Sequence, residues 1–254
     1  MSDPLPEPIP AATLILMRPE AAGGAPEILI MERAKTMAFA AGALVFPGGR
    51  IEADDHASAR RFAPELEDGA ARIAAVRETI EETGIAAAVS PAPDANTLAQ
   101  MREELAGGTP FAPLLNTLGL SLHPEALTPF ARWCPNFRET RRFDTHFYLA
   151  EAPAGANLTS ADESEAVRAF WASAASALHD IHAGRAHAIF PTMRNLERLA
   201  QFASLDEARA DAALHPVHKI TPWVEERDGR RFVCIPEDAG YPVTCEPFDT
   251  ARRR

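Results

Sequence analysis

The sequence predicts an α+β protein, an α/β/α sandwich in which a mixed sheet lies between helices. Three observations lead there. The 254 residues are 46% hydrophobic and 24% charged, the balance of a globular chain long enough to bury a sizeable core. Apolar runs of strand length mix with stretches of helical period. Their order lacks the strand–helix–strand regularity of a doubly wound parallel sheet. The whole of 1–254 is read as a single domain, with insertions near 54–67 and 91–126.

The elements follow in order. Residues 1–10 form an extended, proline-rich lead-in. Ala11–Met17 and Glu27–Met31 are apolar runs separated by RPEAAGGAP, so they predict two strands of a hairpin. Ala43–Phe46 is a third short strand, which Pro47-Gly48-Gly49 is expected to end. Ala70–Thr83 has helical period, with Asp68 placed as N-cap and Gly84 as the stop. Ile85–Val89 reads as a strand. The Pro-, Ala- and Gly-rich stretch 91–126 predicts one or two short helices, with Leu98, Met101 and Leu105 at helical spacing. Strands resume at Leu127–Trp133, Phe143–Ala150 and Val167–Trp171. Helices are expected at Ser173–Ala183, Thr192–Phe202 and Asp206–Leu214. Asp228-Gly229, ahead of the apolar Arg231–Ile235, predicts a terminal hairpin.

Composition excludes several classes. Twenty-five Lys and Arg against 36 Asp and Glu give a formal charge of −11, which repels phosphate backbones, so no nucleic-acid partner is expected. No apolar run approaches the ~18 residues that would suggest a membrane span, and MSDPLPEPIP has no basic and apolar leader pattern. Cys134, Cys234 and Cys245 are odd in number and without CxxC spacing, so they read as unpaired thiols and the location as cytoplasmic. No serine elbow, Walker loop or dinucleotide fingerprint occurs. Eight scattered histidines and three tryptophans read as structural.

The informative segment is AARIAAVRETIEETGI, residues 70–85. On a helix turning about 100° per residue, Glu78, Glu81 and Glu82 share a sector of about 100°, while Ile73, Val76 and Ile80 cluster on the opposite side. Arg77 lies beside the acids, four residues before Glu81. Crowded carboxylates repel and raise one another's pKa, a penalty that a divalent cation with a taste for hard oxygen ligands removes.

Arg77–Ile85 (RETIEETGI) resembles the core of the Nudix box, REUxEExGU with U aliphatic; Thr79 departs from it. Phe46–Glu52 (FPGGRIE) resembles the loop that opens the box. Gly49 precedes Arg77 by 28 residues, so the box carries an insertion of about fourteen residues near Asp54–Glu67. Asp54, Asp55, Glu67 and Asp68 are all eligible to replace the first glutamate of the box. Upstream, Leu29–Gly49 is similar to the LLTxR(S/A)x3Rx3Gx3FPGG motif of the peroxisomal-type coenzyme A diphosphatases of that family. Met31 and Ala38 stand where the motif has Thr and its second Arg. Trp133-Cys134-Pro135 and Arg141–Thr145 also have that branch's look.

The resemblance implies a Nudix fold, with the box as loop–helix–loop, and hydrolysis of a nucleoside diphosphate linked to another moiety, coenzyme A or its acyl derivatives among them. Mg²⁺ or Mn²⁺ would be held by Glu78, Glu81 and Glu82, the Gly49 carbonyl and a distal acid, Glu165 or Glu163. Catalysis would involve Glu78, Glu81 and Arg77. Arg33, Gly48, Arg141 and Arg142 would bind the substrate. The alternatives are a diphosphatase for ADP-ribose or nucleotide sugars and a non-enzymatic ligand sensor on the same fold. The oligomeric state is not indicated.

Overall fold

The computed structural model describes residues 6–21, 23–33, 42–136, 142–156, 158 and 168–253. In chain order the first half holds β1 (Ile9–Arg18), β2 (Glu27–Glu32), β3 (Leu44–Val45), β4 (Gly48–Arg50), α1 (Ala53–Phe62), α2 (Gly69–Thr83), β5 (Val89–Ser90), α3 (Ala95–Ala106) and α4 (Phe111–Thr117). The second half holds β6 (Ser121–Leu122), β7 (Thr128–Trp133), β8 (Phe143–Glu151), β9 (Arg168–Ser173), α5 (Ala174–His182), α6 (Phe190–Leu199), α7 (Leu205–Leu214), β10 (Lys219–Ile220), β11 (Trp223–Arg227), β12 (Arg230–Cys234), β13 (Cys245–Pro247) and α8 (Phe248–Arg253).

The central sheet is mixed, as expected, in the order β10-β7-β8-β1-β2-β3. β1 runs parallel to β8 from Ile9 to Met17 along one edge. Its other edge is divided: Ala11–Thr13 pair with β4, and Met17–Arg18 pair with β2. β2 is divided likewise, meeting β1 and β3 on one edge and β9 on the other. Into the gap between β1 and β2 runs the turn at Phe46-Pro47, where Leu14 N–H donates to the Pro47 carbonyl at 2.9 Å.

Side chains alternate across a strand, so β1 feeds two cores. Ala12, Leu14 and Leu16 point into a layer built by α2, α3 and α4, with Ile73, Val76, Ile80, Met101 and Phe111. Ile15 and Met17 point into the opposite layer with Phe130, Trp133, Phe190 and Leu196, covered by α5, α6 and α7. This is the expected α/β/α sandwich.

Local expectations held where period and punctuation agree, and failed where tertiary pairing decides. The β1–β2 hairpin, the acidic helix, two helices within 91–126 and the β11–β12 hairpin are all present. Gly48-Gly49 does not end strand structure: both residues belong to β4. A Cβ at Gly48 would come within 2.7 Å of the Thr13 Cα, so only glycine lets this strand lie against β1. Ile85–Ala87 are buried beneath α2 and only Val89–Ser90 pair, with β6. Helix α1 occupies the stretch read as an insertion. Asp68 does flank α2, but its side chain accepts from Arg72 Nε (2.7 Å) and the Tyr148 hydroxyl (2.9 Å) rather than from the helix amides.

The thiol expectation is corrected. Cys234 and Cys245 form a disulfide between β12 and β13, and Cys134 is the free, buried cysteine. Their separation of 11 residues carries no pairing signal; the antiparallel register that sets them opposite one another does. No helix among the described residues is long and apolar enough to cross a membrane.

The C-terminal sheet β11-β12-β13 is held to α6 by buried polar contacts. Arg194, 1% exposed, pairs with Glu246 of β13 and with Glu197 at 2.8 Å. The Tyr241 hydroxyl accepts from Trp133 Nε1 at 2.9 Å and donates to Asn195 Oδ1 at 2.8 Å. Arg194→Ala strands Glu246 in the interior and is expected to cost about 3 kcal/mol in urea unfolding. Arg185→Ala, which breaks an exposed pair with Asp180, should cost less than about 1 kcal/mol.

Candidate active site

Helix α2 buries Ile73, Val76 and Ile80. That leaves its other side to meet α1 and β4, and there the acids gather around one cation. Both Arg77 Nε and Nη2 reach Asp55 at 2.9 Å, one to each carboxylate oxygen. Arg77 Nη1 lies 2.9 Å from Glu78 Oε1 and from Glu81 Oε1, and Nη2 donates to the Arg50 carbonyl at 3.0 Å. Burial alone would lower the Arg77 pKa; the Asp55 hydrogen bonds and the charges of Glu78 and Asp55 override it and push the value above its ordinary level.

Of the four acids eligible for the first half of the motif, the fold brings Asp55 to Arg77. It is fully buried, and its Oδ2 also accepts from the Glu52 N–H at 2.8 Å, at the start of α1. Asp54 instead accepts from the Phe111 N–H at the start of α4, Asp68 serves Arg72 and Tyr148, and Glu67 is exposed.

The glycine turn meets the other acids. Glu82 Oε2 accepts from the Gly48 N–H at 2.9 Å, and a Cβ on Gly49 would run into the Glu78 carboxylate. Burial pushes the Glu78 carboxyl up to about 7 against the pull of Arg77, and pushes Glu82 up to about 8 against the Gly48 amide and the Arg33 charge. Among the described residues no group of three acidic, His or Cys side chains is placed so as to hold a metal ion by itself. The donor chemistry nevertheless fits a hard divalent cation: adjacent glutamates on one helix, two of them held in a state that favours the proton, beside a glycine turn whose backbone is close enough to take part.

Glu78, Glu82, Gly48 and Gly49 lie at the floor of a cavity of about 1350 Å³. Ala11 and Thr13 of β1 and Phe143, Thr145 and Phe147 of β8 also line it. They share the strand parity of Ile15, Met17 and Leu149, so the cavity opens on the α6 face of the sheet. The acids reach it from the α2 layer past the glycine turn. Arg33 and Arg142 line the same cavity. Arg33 Nε is buried with no hydrogen-bond partner among the described residues. Arg142 Nε donates to the Pro135 carbonyl at 3.2 Å. Glu81 does not line the cavity; it stays beside Arg77, and its carbonyl accepts from Arg102 at 3.2 Å. Arg141, Glu163 and Glu165 lie outside the described residues.

Three comparisons bear on this arrangement. A Nudix hydrolase from Alicyclobacillus acidocaldarius, solved by crystallography, superposes with a TM-score of 0.67 at 28% identity over 80% of this chain and 96% of that one. Fold and sequence likeness together are those of the Nudix hydrolases. The chain is also similar to the acyl-coenzyme A diphosphatase NUDT19 of Gallus gallus, 26% identical over 85% of this chain and 73% of that protein. The counterpart from Xenopus laevis is 24% identical over 85% and 71%. No protein-family model matches the sequence.

Sequence reasoning passed over Arg50, Glu52, Val224, Arg231 and Phe248, all of which line the cavity. Arg50 and Glu52 adjoin the glycine turn and are within reach of a local reading. The last three come from β11, β12 and α8, and no local signal connects them to the acids.

Two outcomes follow. Asp55→Ala leaves Arg77 buried without its bidentate partner, and urea unfolding should report a loss of about 3 kcal/mol. The second concerns pH. Glu78 and Glu82 have folded-state values raised above the ordinary 4.5. Their stabilising share is therefore full below about pH 4.5 and lost as pH rises through about 7 to 8. With divalent cations chelated, the melting temperature should fall between about pH 5 and pH 8, and Glu82→Gln should flatten that slope.

Proposed function

We propose that this Nudix hydrolase splits the diphosphate of coenzyme A or its acyl esters, releasing 3′,5′-ADP and the matching phosphopantetheine, with Mg²⁺ or Mn²⁺ as cofactor. Nudix hydrolases as a group act on small nucleoside-diphosphate compounds and generally use divalent metals. The observation that carries the reading is the meeting of Glu82 with the Gly48 amide at the floor of a large cavity that also holds Arg33 and Arg142. The names of the relatives from Gallus gallus and Xenopus laevis, together with the FPGG motif, support coenzyme A over other diphosphates.

Glu78, Glu81 and Glu82, with the Gly49 carbonyl, would hold the cation. When bound, a divalent cation neutralises the diphosphate and polarises its phosphoryl oxygens. The chain itself supplies the remaining work. Arg77 draws Glu78 and Glu81 to one side and orients both carboxyl groups. The Gly48 N–H fixes one oxygen of Glu82, leaving the other free to accept. Arg33 and Arg142 offer planar guanidinium donors matched to phosphate oxygens. Phe46 and Phe143 line the same cavity.

The test is product analysis by chromatography with coenzyme A, octanoyl-coenzyme A, ADP-ribose and a nucleotide sugar. Turnover of the first two, lost on chelation and restored by Mg²⁺ or Mn²⁺, is expected. Cleavage of ADP-ribose alone would overturn the coenzyme A assignment. Glu82→Gln and Glu81→Gln should each lower kcat/KM by about 10²-fold or more while circular dichroism stays native.

A further inference from the structure

The catalytic cavity has a second wall that the acids and glycines do not explain. Val224 of β11 and Val233 of β12 are direct cross-strand partners, so both side chains stand on one face of the C-terminal sheet. Arg231, two residues from Val233, shares that face, and its guanidinium lies 4.3 Å from the centre of the Phe248 ring. Val224, Val233, Phe248 and Ala251 all line the cavity that has Glu78 and Glu82 at its floor.

Arg231 apart, this wall is aliphatic and aromatic, and it is fixed. Val224 remains 46% exposed, one of the three large hydrophobic side chains exposed among the described residues. The sheet behind it is not a loose flap: Arg194–Glu246, Trp133–Tyr241–Asn195 and the Cys234–Cys245 bridge tie it to α6 and to itself. The cavity's volume of about 1350 Å³ exceeds the ~300–1,000 Å³ that a drug-sized ligand occupies, so a diphosphate group at the acid end leaves room for a long second moiety.

We propose that the Val224–Val233–Phe248 wall receives the acyl-thioester arm of a coenzyme A ester and selects for its chain length. This rests on the coenzyme A reading above. The two ends of the cavity then match the two ends of the substrate: cations and a glycine turn for the diphosphate, aliphatic and aromatic side chains for the uncharged arm. Each buried methylene multiplies binding by about fourfold, so a wall of this kind discriminates by length.

The experiment measures kcat/KM for coenzyme A and its acetyl, butyryl and octanoyl esters. The unmodified protein should favour the longer esters. Val224→Glu places a charge at an exposed position that tolerates it, and should lower the octanoyl-to-coenzyme A ratio of kcat/KM about tenfold, chiefly through KM. Phe248→Ala should lower the same ratio. Leu214→Glu, at a more exposed apolar residue away from the cavity, should leave it unchanged. If coenzyme A esters are cleaved with no length preference, or Val224→Glu leaves the ratio intact, the wall is wrong and the coenzyme A reading stands. If ADP-ribose is cleaved and no coenzyme A compound is, the reading fails and the wall assignment fails with it.

Discussion

A guanidinium in the interior must be neutralised, and the site grows from that requirement at Arg77. Its side chain is 9% exposed, and an unpaired charge at that depth would cost several kcal/mol. Asp55, fully buried, supplies the bidentate partner, and that pairing obliges α1 to dock against α2. Glu78, the next residue, and Glu81, one turn further along the same helix, meet the guanidinium as well. What remains is Glu82, which turns the other way to the Gly48 amide. One buried cation thus sorts three adjacent acids into distinct surroundings, two shared with Arg77 and one aimed at the glycine turn.

The second constraint is the close approach of β4 to β1. The central sheet is split between β1 and β2, and the chain at Phe46–Gly49 occupies the split. Side chains at 48 or 49 would collide with β1 or with Glu78. The two glycines therefore do two things at once: they complete the sheet and bring backbone amides to the end of the acidic helix. Burial at that junction pushes the Glu78 and Glu82 carboxyls up from their ordinary range, against the pull of Arg77 and of the Gly48 amide.

The cavity beyond the turn combines two chemistries. Its floor belongs to elements of the first half of the chain, and its far wall to β11, β12 and α8. The buried Arg194 and the Tyr241 hydroxyl carry that far wall on α6, so the shape of the cavity depends on polar contacts deep in the core. The formal charge of −11 does not oppose an anionic substrate here, because Arg33, Arg142 and Arg231 make the local balance in the cavity differ from that of the surface.

Some of this was legible in the chain alone. The period of Ile73, Val76 and Ile80 placed the acids on one helix face, Gly84 marked the helix end, and FPGG with RETIEETGI identified the family, because these signals lie within a few turns of one another. The α/β/α layering followed from apolar runs whose lengths and order are local properties. The rest depended on contacts across long separations. Asp55 could not be told from Asp54, Glu67 or Asp68 until α1 packed on α2. Gly48 read as a strand stop until β1 lay against it. Cys234 and Cys245 became partners only through the register of β12 and β13. The sequence by itself determined that Glu78, Glu81 and Glu82 share one side of a helix, since helical spacing is geometry the chain cannot avoid. Tertiary structure decided which acid neutralises Arg77 and what stands across the cavity, because burial and long-range register exist only once the layers close.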